Sequence, residues 1–174
     1  MMHIGRAAGT SPGSSETAEA LRQRFRGAMR RLASGVGVVA TANGQRWFGM
    51  TATAITSLSM DPPSLVICVN RSASIHDPLT ETGLFSVNLL RRDQSEIGHA
   101  FAKLPSTERF AVGEWVLSET GCPCLVGAQA VVLCRQGPIM SFGTHTLIVG
   151  EVIETIVDQE VAPLVFVDGN FLVE

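Results

Sequence analysis

The hydrophobic positions of this chain change their period along the sequence. From about Thr17, apolar residues recur every three or four positions, which predicts an amphipathic helix ending near residues 34–35. Residues 36–41 are almost wholly apolar and predict a strand. Residues 43–44, Asn-Gly, predict a hairpin turn into a second strand. The chain therefore passes from one helix into a β-rich body.

The remaining sequence consists of short apolar segments separated by turn residues, which is typical of β-strands. Short helical patterns near residues 75–82 and 93–102 interrupt them. Few helices and no regular alternation of strand and helix favour an antiparallel barrel or sandwich, because closing a sheet removes its exposed edges. The predicted strands lie near residues 64–70, 84–90, 115–118, 128–135, 144–157 and 162–173.

Composition narrows the class of protein further. The chain has 174 residues, 45% of them hydrophobic, which is enough for one domain with an apolar core. A net charge of -3 does not favour binding to nucleic acid or to an anionic membrane surface. Without a long apolar segment or a secretory signal pattern, the expected compartment is the cytoplasm. We expect residues 1–16 to form a flexible leader before one domain over residues 17–174.

Several common kinds of catalytic site lack support. The four cysteines are expected to be free thiols, and Cys122 and Cys124 have neither the spacing nor the second ligand pair of a zinc site. The sequence contains no Walker loop, HExxH or GxSxG motif. Gly35 and Gly37 precede a strand, which is the reverse of the order in a dinucleotide fingerprint. These observations favour chemistry carried by a bound cofactor.

Small hydroxyl side chains alternate with apolar side chains between residues 50 and 60. In one continuous strand they would occupy opposite faces, and the apolar face would pack on the core. The hydroxyl face could donate to the edge of a planar heterocycle, or it could be an ordinary solvent face. The hydroxyl set is Thr51, Thr53, Ser57 and Ser59, and the apolar set is Met50, Ala52, Ala54, Leu58 and Met60.

Polar residues also lie at the ends of two predicted strands. Asn70, Arg71, Ser72 and Ser74 supply hydroxyls, a guanidinium group and amides at a helix start, a combination suited to a phosphate. Ser74 has the alternative role of a simple N-cap. His145 opens the predicted strand over residues 144–157, so we expect it near the mouth of a barrel, where a site role is one interpretation.

Seven segments carry a resemblance to a known family: RFRGAM (24–29), GMTATA (49–54), SLSMDPP (57–63), CVNRSAS (68–74), FSVN (85–88), ERF (108–110) and GTH (143–145). In this order and spacing, the chain resembles the short-chain flavin reductases over residues 24–172. These are the small components of two-component flavin-dependent monooxygenases. The likeness is nearest to reductases serving 4-hydroxyphenylacetate 3-monooxygenase and to pyrimidine-degradation flavin reductases.

The resemblance implies an FMN-binding split barrel, which is an antiparallel Greek-key barrel with a few flanking helices, normally found as a homodimer. It implies reduction of FMN or FAD by NADH or NADPH, with reduced flavin passed to a partner monooxygenase. The implied flavin contacts are Thr51, Ala52, Thr53, Ala54, Ile55, Ser57 and Leu58. The implied phosphate contacts are Cys68, Val69, Asn70, Arg71, Ser72 and Ser74.

Further residues are implied at the ends of the two nucleotides. Arg109 would assist the phosphate or adenylate side of the flavin. His145 and the C-terminal turn would dock the nicotinamide nucleotide, with Arg26 as a charge for its pyrophosphate. The turn residues concerned are Asp168, Gly169 and Phe171. Because the flavin carries the chemistry of hydride transfer, His145 is expected to orient the nicotinamide and to transfer no proton.

The chain departs from the family in two places. Many members have Gly-Asp-His where this chain has Gly-Thr-His, so Thr144 replaces a carboxylate. The C-terminal turn is less basic and less aromatic than usual. Two other functions stay open on the residues alone, a non-catalytic flavin-binding protein and an interaction barrel without a ligand, because a fold does not determine a function.

Overall fold

A computed structural model describes residues 15–172, in which strands predominate. The chain divides into two units, residues 1–32 and residues 33–174. The first unit contains helix α1 (Ser15–Met29), so the predicted helix exists but ends before residue 34. Most of the predicted leader lies outside the described residues, and its last two residues begin α1.

The second unit is built from strands of 2 to 13 residues and two further helices. Short 3-10 turns at Arg92–Gln94 and Arg109–Ala111 flank α3. The elements are β1 (Ser34–Gly35), β2 (Gly37–Asn43), β3 (Arg46–Ala52), β4 (Ile55–Met60), β5 (Pro63–Asn70), α2 (His76–Thr82), β6 (Leu84–Leu89), α3 (Ser95–Lys103), β7 (Trp115–Leu117), β8 (Pro123–Leu125), β9 (Ala130–Phe142), β10 (His145–Val157), β11 (Val165–Val167) and β12 (Asn170–Leu172).

Seven strands form one antiparallel sheet in the order β3-β2-β6-β9-β10-β5-β4. The edge strands β3 and β4 are consecutive in sequence, so the chain crosses from one edge of the sheet to the other through residues 53–54. A Cβ placed on Gly37 in β2 would lie 2.8 Å from Ile55 Cδ1 in β4. The two edges therefore approach each other, as expected for a barrel that is split along one seam.

Two apolar clusters explain why some strand segments, such as residues 36–41, are almost wholly apolar. One is enclosed by β2, β3, β5, β6, β9 and β10 and includes Leu79 of α2. The other lies between the sheet, α3 and β8, and includes Phe101. Val38 belongs to one cluster and Val39 to the other, so both faces of β2 are covered. A strand buried on both faces reads as an unbroken apolar segment.

The predicted hairpin is confirmed, but its two turn residues are 44 and 45, because Asn43 pairs with Arg46. Gly44 is the first of the two and has a positive φ of +61°. The predicted strand over residues 162–173 is instead two strands, β11 and β12, joined by a turn at residues 168–169. Residues 34–35 form β1 and pair with β11. Within residues 15–172, no helix has the length and apolarity needed to span a bilayer.

Candidate active site

The hydroxyl-rich segment between residues 50 and 60 is not the single strand that its alternation predicts. It breaks at residues 53–54, between β3 and β4. Nothing local forces this break, because the segment contains neither glycine nor proline before residue 61. The cause is tertiary: β3 pairs with β2, β4 pairs with β5, and residues 53–54 must join these opposite edges.

A second irregularity changes the direction of the side chains in β4. The pairing of β4 with β5 shifts between Ser57 and Ser59, which leaves Leu58 as the extra residue of a bulge. Leu58 is 55% exposed and Met60 is 84% exposed. Ala54 is exposed as well. The prediction that Ala54, Leu58 and Met60 pack on the core is therefore wrong, whereas Ala52 in β3 is buried as predicted.

The predicted ladder of hydroxyl groups is also partly used by the protein itself. Thr51 Oγ1 donates to the Gly98 carbonyl of α3 at 2.7 Å. Ser59 Oγ donates to the Asp61 carbonyl at 3.0 Å and accepts from the Asp61 amide at 3.1 Å, which closes the turn after β4. The structure thus assigns fold-stabilising bonds to Thr51 and Ser59. Thr53 is half-buried beside the break, and Ser57 is exposed.

The end of β5 and the β9–β10 turn meet in what we call the turn cluster, formed by Asn70, Arg71, Ser72, Gly143, Thr144 and His145. Asn70 and His145 are opposite each other in the β5–β10 pairing. The Arg71 amide donates to the Thr144 carbonyl at 3.0 Å, and Arg71 Nη2 donates to the Gly143 carbonyl at 2.7 Å. Two groups predicted separately from sequence are therefore neighbours.

The loop after Asn70 is ordered by its own side chains. Asn70 Oδ1 accepts from both the backbone amide and the hydroxyl of Ser72, each at 2.9 Å. The helix α2 begins at His76, and Ile75 occupies its N-cap without a side-chain capping bond. The alternative role of Ser74 as the N-cap is therefore wrong, and its side chain is exposed.

His145 is the first residue after the two-residue turn of the β9–β10 hairpin, at the strand end where the sequence predicts it. Its side chain is exposed, and its Nδ1 lies 2.9 Å from Thr144 Oγ1. His76 differs, because its two ring nitrogens lie 2.7 Å from Asp77 Oδ1 and 3.0 Å from Thr146 Oγ1. Both ring nitrogens of His76 are thus engaged by neighbouring side chains, while His145 presents an imidazole edge to the surroundings.

A second polar region lies between α3 and the β11–β12 turn. We call it the C-terminal cleft, a cavity of about 500 Å³. The ring of Phe171 lies 4.6 Å from that of His99, and Asp168 and Gly169 both have positive φ in the turn. The cleft is lined by Ser95, His99, Ala102, Lys103, Phe166, Gly169, Asn170 and Phe171.

Residues 51–54 lie between these two regions. Gly98 accepts the hydrogen bond of Thr51, and a Cβ on Gly98 would lie 3.0 Å from the Phe171 ring, so β3, α3 and the C-terminal turn meet there. At the other end, the Cys68 amide donates to the Ala54 carbonyl at 3.2 Å. Further along, Ile55 and Ser57 line an apolar cavity of about 490 Å³.

The two predicted arginines outside this area have different surroundings. Arg109 donates from Nε to the Leu104 carbonyl at 3.0 Å and from Nη1 to the Gly49 carbonyl, which ties the 3-10 turn to β3. Burial lowers the pKa of the Arg109 guanidinium. This arginine therefore stabilises the fold through two backbone carbonyls. Arg26 belongs to α1 in the other unit, so its role toward a nucleotide stays a prediction.

Three buried cysteines are not activated nucleophiles. Cys122, Cys124 and Cys134 are buried free thiols. Burial raises the pKa of each, to about 12 for Cys134. A thiol that stays protonated at neutral pH is a poor nucleophile, so these residues act as small apolar groups of the core.

The predicted site residues do not include two side chains of the C-terminal cleft, His99 and Lys103. Their spacing of four residues on a predicted helix places them on one face, which was an available signal. Their position opposite the C-terminal turn was not available, because it depends on the packing of α3. Thr144 was noticed only as a departure from the family pattern, and its bond to His145 emerges from the structure.

Comparison with known families matches residues 29–173 to the flavin reductase like domain. The chain belongs to this family. Membership confirms the predicted mainly β split-barrel fold and the predicted flavin reductase class of enzyme. We therefore interpret the turn cluster and the C-terminal cleft by reference to the flavin reductase like domain.

Curated and solved flavin reductases resemble the chain over most of its length. The reductase component of FADH(2)-dependent resorcinol hydroxylase from Rhizobium sp. (strain MTP-10005) is 40% identical over 88% of this chain and 87% of its own. The FMN reductase (NADH) RutF of Stutzerimonas stutzeri is 36% identical, with 91% of each chain covered. The Streptomyces globisporus NADH:FAD oxidoreductase SgcE6, solved with NAD and FAD fragments, has a TM-score of 0.82 and 33% identity, covering 87% of this chain and 91% of that one.

Proposed function

We propose that this flavin reductase binds FMN or FAD along residues 51–58 and takes hydride from NADH docked between the turn cluster and the C-terminal cleft. One observation carries the proposal. Residues 51–54 touch α3 beside the C-terminal cleft at one end and β5 beside the turn cluster at the other. A flavin on this segment would be within reach of both groups of side chains.

The donors present fit a flavin nucleotide. Arg71 uses one guanidinium nitrogen on the Gly143 carbonyl, which leaves further N–H groups for a phosphate. The exposed hydroxyls of Ser72 and Ser74 lie in the same loop. The apolar cavity at Ile55 and Ser57 has a volume in the range usual for small-molecule sites. We assign the phosphate to residues 68–74 and the ring to residues 51–58.

The C-terminal cleft fits the nucleotide part of NADH. The Phe171 and His99 rings offer surfaces for stacking a base, and Lys103 offers a cation for a phosphate. Relatives named as NADH-dependent flavin reductases support the choice of NADH. His145 then orients the nicotinamide from the side of the turn cluster.

The residues of this chain bind and orient the reactants. When bound, flavin accepts hydride from the reduced nicotinamide, so the protein needs no strong base. The backbone of residues 51–54 and the hydroxyls of Thr53 and Ser57 hold the ring edge, and Arg71 holds the phosphate. Holding two rings in van der Waals contact accounts for a large part of such a rate enhancement.

We also propose that the chain works as a homodimer in the cytoplasm and supplies reduced flavin to an oxygenase. Large apolar side chains beside the site are exposed, among them Met140 at 59% and Phe142 at 80%, and a second copy would cover them. Free cysteines are consistent with a reducing compartment. The reductase components of resorcinol hydroxylase and of a tryptophan halogenase are relatives of the kind that serve such partners.

An anaerobic assay tests this function. Purified protein is mixed with FMN or FAD and with NADH or NADPH, and the loss of flavin absorbance is followed. We expect turnover with NADH and at least one flavin, and a non-catalytic flavin carrier would bind flavin without turnover.

The variant His145→Ala tests the placement of the nicotinamide. It should raise the KM for NADH about tenfold while leaving the Kd for flavin within about twofold, since one hydrogen bond to the nicotinamide is lost. His145→Gln, which keeps a side-chain hydrogen-bonding group, is the matched control. Equal damage to flavin and NADH binding would contradict this division of the site.

A further inference from the structure

We infer that Thr144 is a positioning residue that holds the imidazole of His145 and thereby tightens binding of the nicotinamide nucleotide. This inference rests on the proposed role of His145. It begins from a contact between His145 and a residue that was not predicted to belong to the site: Thr144 Oγ1 lies 2.9 Å from His145 Nδ1. Adjacent residues form this bond across the start of β10, where His145 would otherwise be an exposed side chain free to rotate.

The backbone beneath this contact is fixed. Residues 143–144 are the two-residue turn of the β9–β10 hairpin, and Gly143 has a φ of +57°. Both turn carbonyls accept hydrogen bonds from Arg71, one from its guanidinium and one from its amide. A rigid turn allows a short side chain such as threonine to restrain its neighbour, because little backbone motion competes with the bond.

The consequence for His145 is a defined orientation of the ring. With Nδ1 held by the Thr144 hydroxyl, Nε2 is the nitrogen left for a ligand, and no residue that the structure describes is hydrogen-bonded to it. A hydroxyl can either donate to Nδ1 or accept from it, whereas a carboxylate can only accept. Thr144 therefore orients the ring without adding a negative charge beside Arg71.

Two variants separate the hydroxyl from the shape of the side chain. Thr144→Val keeps the branched shape and removes the hydroxyl, while Thr144→Ser keeps the hydroxyl. We expect Thr144→Val to raise the KM for NADH about five- to tenfold, with the Kd for flavin and the Tm unchanged, because it removes one hydrogen bond that restrains an exposed ring. Thr144→Ser should stay within about twofold of the wild-type KM.

A readout without activity comes from the imidazole itself. The ¹⁵N chemical shifts of the His145 ring in ligand-free protein, assigned by their loss in His145→Ala, report the bonding of Nδ1. Thr144→Val should shift the Nδ1 resonance, and Thr144→Ser should leave it near its wild-type position. Identical ring signals in wild type and Thr144→Val would overturn the inference and leave the proposed function intact.

The double variant shows whether Thr144 acts through His145. In a His145→Ala background, adding Thr144→Val should have no further effect on the KM for NADH. A full additional effect would overturn the inference. An unchanged KM in His145→Ala alone would overturn the proposed nicotinamide role of His145 and the inference with it, so the two failures are distinguishable.

Discussion

The turn cluster and the C-terminal cleft flank the same segment but are built in different ways. In the turn cluster, polar side chains are held by hydrogen bonds of 2.7 to 3.0 Å, some within the β5 loop or the β9–β10 turn and some between them. In the cleft, the rings of His99, Phe166 and Phe171 pack at centroid distances of 4.6 and 5.7 Å. Hydrogen bonds therefore organise the turn cluster, whereas the packing of aromatic rings shapes the C-terminal cleft.

This difference indicates how each region responds to change. Directed bonds preorganise donors, so loss of a donor in the turn cluster should affect binding much more than folding. Aromatic packing contributes to stability as well as to the shape of the cleft, so truncation there should affect both. Variants for which the ligand Kd and the Tm are measured separately therefore test whether the two regions differ in this way.

The largest expected effect is at Arg71. Arg71→Met removes the guanidinium proposed to bind phosphate and also its bond to the Gly143 carbonyl, so the Kd for FMN should rise about 10- to 100-fold. Arg71→Lys should recover only part of this, because an ammonium cannot reproduce the planar fork. Titration of flavin fluorescence measures each Kd.

Arg92→Met is the matched control for Arg71→Met. Arg92 is also an exposed arginine, but it lies at the 3-10 turn before α3 and outside the turn cluster. It should leave the flavin Kd unchanged. A Kd for Arg71→Met within twofold of wild type would remove Arg71 from the phosphate site.

A smaller effect, of a different kind, is expected at Phe171. Phe171→Ala removes ring contacts with His99 and Phe166 and opens space beside Gly98. For a half-buried ring we expect a loss of about 2 kcal/mol of stability, below the range for a fully buried phenylalanine. The KM for NADH should also rise severalfold, whereas the flavin Kd should not change. Thermal unfolding and steady-state kinetics measure these quantities.

Phe171→Leu keeps most of the apolar volume and should recover most of the stability. If it restores Tm but not the KM for NADH, the ring itself contacts the nucleotide. If Phe171→Ala changes the flavin Kd as much as the KM for NADH, the proposed separation between cleft and turn cluster is wrong.

Much of the fold could be predicted because its signals are local. The hairpin signal at residues 43–44, the alternation in the strand over residues 144–157 and the helical pattern near residues 93–102 each depend on nearby residues, and the structure contains a hairpin, a strand and a helix at these places. The pairing order of the strands could not be derived from such signals. It depends on contacts between distant residues, and only the family resemblance indicated it.

The candidate site divides in the same way. The turn cluster was predicted as two sets of polar residues at strand ends, but their meeting depends on the pairing of Asn70 with His145. The alternation between residues 50 and 60 was misleading. The crossing at residues 53–54 and the bulge at Leu58 both result from strand pairing, which the period of the sequence does not contain.

The smallest expected effect is at Thr51, where the structure differs most clearly from the predicted hydroxyl ladder. Thr51→Val removes the 2.7 Å bond to the Gly98 carbonyl and should cost about 1 kcal/mol of stability, the usual net value of one hydrogen bond. Thr51→Ser keeps the donor and is the matched control. Because this hydroxyl is engaged by α3, the flavin Kd should change less than threefold in both variants. A tenfold weaker flavin Kd in Thr51→Val, with Tm unchanged, would instead show that the Thr51 hydroxyl contacts the flavin, as the predicted hydroxyl face implies.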